Sequence, residues 1–130
     1  MQQTAYGMRK TLDCPFDEAI GRVTEALKEE EFGVLTEIDV KETLKKKLDV
    51  AFSRYTILGA CNPKAAYQAL QAEREIGLLM PCNVIVYEEG EGSVVSIQDP
   101  LTLFNLVGRE EVKPLAEEVR GKLLKVLERL

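Results

Sequence analysis

Apolar residues recur along this chain with two periods, and the period changes mark its elements. Tyr6, Met8 and Leu12 alternate with Arg9 and Thr11, which predicts a first strand over residues 6–12 with Lys10 out of pattern. Cys14-Pro15 breaks it. Pro15, followed by Asp17 and Glu18, suits the positive end of a helix. Phe16, Ile20, Val23 and Leu27 then share one helical face, as far as about Glu31. Alternation returns at residues 34–40, with Val34, Thr36, Ile38 and Val40 on one side and Leu35, Glu37 and Asp39 on the other. Residues 41–48 read as a short charged helix and residues 55–61 as a third strand.

Asn62-Pro63 is a helix start, a capping side chain followed by proline at the first position. Ala66, Ala69 and Leu70 line that helix's expected inner face, and Ile76–Pro81 forms an apolar connector. Residues 82–87 and 93–98 are strands joined by Glu88-Glu89-Gly90-Glu91-Gly92, a hairpin turn. Asp99-Pro100 ends the second of them. Residues 102–108 then read as an apolar loop, and Val112, Leu115, Val119, Leu123, Val126 and Leu130 stripe a last helix. With no linker or repeat, residues 1–130 make one domain. The order predicts an α+β fold: a two-layer α/β sandwich with a mainly antiparallel sheet of about five strands and helices on one face.

Composition removes several classes of function. The chain has no histidine, which excludes Ser-His-Asp and Cys-His nucleophile systems and histidine-ligated zinc. It has no tryptophan and a net charge of −5, a poor basis for binding nucleic acid. The cluster Lys41, Lys45, Lys46 and Lys47 runs against that balance and reads as a solvated helix face rather than a phosphate patch. Gly90-x-Gly92 lies among glutamates and lacks a lysine, so it is no phosphate loop. No apolar run approaches the ~18 residues of a membrane span, and no secretion signal is visible. Three cysteines in a domain with a proper core suggest reduced thiols and a cytoplasmic protein. Abundant Glu, Lys and Arg with only three methionines would suit a heat-stable protein of a thermophile.

Three stretches, Phe32–Val40, Ile57–Pro63 and Ile76–Val84, resemble the signature of the domain-of-unknown-function 302 family, and Asp99-Pro100 is similar to its pattern after the hairpin. The resemblance covers most of the chain. It implies a two-layer fold similar to one half of a TATA-binding protein, and a homodimer. It implies no established activity, and the acidic balance argues against importing DNA binding from a shared fold.

The candidate chemistry centres on Cys61-Asn62-Pro63 and Pro81-Cys82-Asn83. Both thiols fall at strand boundaries, and Cys61 precedes a helix N-terminus, which would acidify a thiol. The pair could bind a soft metal ion or form a reversible disulfide; the plainer reading is packed cysteines and capping asparagines. Parallel neighbouring strands would put the two thiols at opposite ends of the sheet, antiparallel strands at one end. Glu37 and Asp39, ~7 Å apart along a strand, could act with Asp99 on a hard cation or a proton, or could simply face solvent. The apolar stretch around Phe104 could cover a pocket, form a dimer contact or pack into the core as a short helical turn. Tyr55 and Tyr67 are possible polar handles nearby. No catalytic set assembles, so whether the chain is an enzyme stays open, with no metal or cofactor expected. The leading expectation is a small-molecule binding or sensor module with a pocket bordered by Cys61, Asn62, Cys82, Asn83 and Phe104. A thiol-dependent redox or metal-handling protein and a structural dimerisation module are the alternatives.

Overall fold

The computed structural model describes residues 1–130. The period-two stretches form strands β1 (Gln2–Gln3), β2 (Gly7–Leu12), β3 (Gly33–Asp39), β4 (Tyr55–Cys61), β5 (Cys82–Glu89) and β6 (Gly92–Gln98). All pair antiparallel in one sheet of order β1-β2-β6-β5-β4-β3. The sheet therefore has six strands rather than about five. The extra one, β1, pairs its two polar residues with Met8 and Arg9 and carries no alternation of its own. Gly90 takes φ +59° at the tip of the β5–β6 hairpin, a conformation open to glycine at no steric cost.

The period-3.6 stretches form α1 (Phe16–Glu29), α2 (Val40–Leu48), α3 (Pro63–Ala72) and α5 (Lys113–Glu128), and a further helix, α4 (Pro100–Val107), occupies the stretch expected to be a loop. Asp99 explains that difference. Its carboxylate accepts from Leu101 N–H, and Pro100 follows at the first turn, so the segment starts as α3 does and ends at Gly108 with φ +69°. Residues Arg74–Leu79 coil into a 3-10 turn.

The core lies between one sheet face and the helices. Met8, Leu58, Val84, Val86, Val95 and Ile97 project from the sheet into a cluster with Ala19, Val23 and Leu27 of α1 and Leu123, Val126 and Leu127 of α5. Lys10 sits on this inner face because its ammonium donates to the carbonyls of Leu127 and Leu130 at the negative end of α5. A bulge between Val34 and Thr36 corrects the expected alternation of β3. Val34 pairs with Ala60, but Thr36 and Ile38 pair with Gly59 and Ile57, so they face the other side. Glu37 and Asp39 therefore share the side of Leu58 and Thr56, exposed at the sheet edge.

Candidate functional site

Antiparallel pairing of β4 with β5 brings the two Cys-Asn motifs to one end of the sheet. Cys61 closes β4, Cys82 opens β5, and Ala60 pairs directly with Cys82. Both thiols are free and partly buried, and both line one cleft between the sheet end, α3, α4 and α5. Its space, counted out to the open mouth, is about 700 Å³. Seventeen of its 20 lining residues are hydrophobic and none is charged, so it offers water few partners.

Each wall follows from local sequence. Asn62 is 7% exposed and accepts from Ala65 N–H at 3.1 Å, which starts α3. Ala65, Ala66 and Ala69 then face the cleft, and their small side chains leave the space open. Leu70, expected beside them, is exposed instead. The connector contributes Ile76, Leu79, Met80 and Pro81, α4 contributes Leu103, Phe104 and Val107, and α5 contributes Leu115, Ala116 and Val119. Gly59 lets the connector come close: a Cβ there would lie 2.8 Å from Pro81 Cγ and clash with Thr36 Oγ1.

The structure brings Cys61, Asn62, Cys82 and Phe104 together but not Asn83. Asn83 alternates away from Cys82 and is exposed, its backbone N–H donating to Gln98 Oε1. Tyr55 also lies elsewhere, stacked on Tyr87 at 5.6 Å on the open sheet face, and Tyr67 is exposed and accepts from Gln71. The three acidic candidates do not converge. Glu37 and Asp39 are on the edge strand β3, and Asp39 caps α2. Asp99 is near the other edge, held by Gln3 and Arg120. On α2, Lys45 and Lys46 pair with Asp49 and Glu42. Cys14 is buried in the core, its carbonyl accepting from Ser93.

Burial, reinforced by the neighbouring Cys61 thiol, pushes the Cys82 thiol up to about 11. It is therefore protonated at neutral pH and behaves as a small apolar wall group. The lining from the connector and α5 was not anticipated as part of a site. The usable signal was the connector itself, too hydrophobic for a solvent-facing loop.

No helix is long and apolar enough to cross a membrane. The family model described as "Domain of unknown function DUF302" matches residues 8–130. No curated protein matches the chain. The fold is similar to the crystal structure of an uncharacterized conserved protein DUF302 from Bacillus stearothermophilus, with 28% identity and a TM-score of 0.89 over 97% of this chain and 98% of that one.

Proposed function

The chain belongs to the DUF302 family, and we propose that it is a binding or sensor module for a small molecule with an apolar body. One observation carries this reading: a cleft walled by hydrophobic residues, with no charged group in it, opens beside the paired cysteine strand ends. The protonated state of Cys82 weighs against the competing reading of a thiolate nucleophile at neutral pH. An environment-sensitive apolar dye tests the proposal. The dye should bind saturably to the wild type, and Ala66→Phe, which fills the cleft, should weaken binding by at least about tenfold while leaving the circular dichroism unchanged. Dye binding indifferent to the filled cleft would sink the reading.

A homodimer is the companion reading, and the open sheet face supports it. Tyr55 stacks on Tyr87 there, with half-exposed Ile57 and Ile85 alongside and exposed Phe52 6.2 Å from Tyr55. Two copies that each carry a charge of −5 need an uncharged patch on which to meet, and a two-fold axis pairs that patch with itself. Sedimentation equilibrium should give twice the chain mass, and Tyr87→Lys should give the single mass. A monomeric wild type would remove this reading without touching the cleft.

A further inference from the structure

The apolar cleft adjoins a polar groove, and Asn62, which lines both, leaves half of its side chain unused. The groove is lined by Glu31, Asn62, Lys64, Gln68, Glu118 and Lys122, and it shares Asn62, Ala65 and Val119 with the cleft. Asn62 is 93% buried, from its 7% exposure. Capping of α3 commits its Oδ1 to Ala65 N–H, which fixes the other end of the amide as the NH2 donor. That donor has no partner within the chain. It is not sealed off either, because no inaccessible side-chain nitrogen or oxygen lacks a hydrogen bond. A largely buried amide whose free donor reaches accessible space can donate to an acceptor placed there.

The charges around it select which acceptor. On the α3 wall the helix N-terminus adds partial positive charge, and exposed Lys64 makes no ion pair. On the facing α5 wall, Lys122 already holds Glu31 at 3.2 Å, and Glu118 lies one helical turn before it. The α3 side, which carries the Asn62 donor, the helix N-terminus and the unpaired Lys64, therefore favours an anionic head over the α5 side.

Building on the apolar-ligand reading, we propose that the molecule bound is an apolar carboxylic acid. Its carboxylate accepts from Asn62 Nδ2 beside Lys64, and its hydrocarbon body lies in the cleft between α3, α4 and α5. Calorimetric titration of the full chain with decanoate, decanol and decylamine tests this. Decanoate should bind at least about tenfold more tightly than the other two. Asn62→Asp retains the capping oxygen but removes the donor and adds a charge. It should lower decanoate affinity by at least about tenfold and decanol affinity by less than about threefold. Lys64→Gln should cost decanoate about threefold. Equal binding of all three probes would overturn the carboxylate assignment and leave the apolar-ligand reading standing. A preference for decylamine would move the head to Glu118 and also overturn it. No binding by any probe would remove both.

Discussion

Replacing the buried Asp99 with alanine should destabilise the fold by loosening β1, α4 and α5 together. The residue is 5% exposed, and its carboxylate carries three interactions. It accepts from Leu101 N–H at 3.0 Å to start α4, from Gln3 Nε2 at 2.8 Å to fasten β1, and from Arg120 Nε at 3.2 Å to tie α5. Loss of a cap costs about 1 kcal/mol. Loss of a hydrogen bond to a charged acceptor costs about 1.5 kcal/mol. Arg120 keeps some solvent, so its ion pair adds only about 0.5 kcal/mol. Asp99→Ala should therefore lower the unfolding free energy by about 3 kcal/mol, a fall of about 10 °C in Tm. Asp99→Asn keeps the cap acceptor and should cost about half as much. Urea unfolding followed by circular dichroism gives both values, and a double-mutant cycle with Arg120→Ala should show a coupling of about 0.5 kcal/mol. Because α4 carries Leu103 and Phe104, Asp99→Ala should also weaken dye binding more than an equally destabilising Val23→Ala in the core. A loss below about 1 kcal/mol for Asp99→Ala, or dye binding no weaker than in Val23→Ala, would refute the reasoning.

Two further outcomes follow from the cleft. The Cys82 thiol titrates at about 11 in the folded chain against 9.0 ordinarily, so the folded state holds its proton longer as pH rises. That stability is complete below pH 9 and lost between 9 and 11, by about 2 to 3 kcal/mol in total. The urea midpoint of the wild type should fall faster over this range than that of Cys82→Ala, and parallel curves would contradict the assignment. Gly59→Ala should destabilise by about 1 to 3 kcal/mol, because its Cβ meets Pro81 and Thr36; a thermal melt unchanged from wild type would show that the connector is not held against β4.

Much of the architecture was legible because apolar spacing directly reports burial. Phe16, Val23 and Leu27 of α1 and Val119, Leu123 and Val126 of α5 sit where their periods put them. What failed did so for local reasons. Asp99-Pro100 carries the same message as Asn62-Pro63, a capping oxygen followed by proline, yet the continuous hydrophobicity of Leu103 to Val107 hides a helical period and leaves loop and helical turn both open to a sequence reading. The bulge at Leu35 inserts one residue, which sequence alternation cannot register, and every later residue of β3 changes face. Asn83 was placed in the site by its motif, whereas the pleat fixes it on the side opposite Cys82. Lys10 looked out of pattern because its partner, the end of α5, lies 117 residues away in the chain.

The cleft itself was only half legible, since a void is a property of several elements together. Its motif residues mark the sheet end, but the space exists because three alanines of α3 face it where larger side chains would fit. An apolar surface left open in this way forgoes the burial that larger side chains on α3 would bring. A fold whose main core is closed so tightly that twelve large side chains are almost fully enclosed has no general difficulty in filling space. The opening lies where the largely buried Asn62 keeps an unpaired donor and the adjoining ends of β4 and β5 present Cys61 and Cys82. A space left open there, and not in the core beside it, is where the proposed apolar ligand would lie.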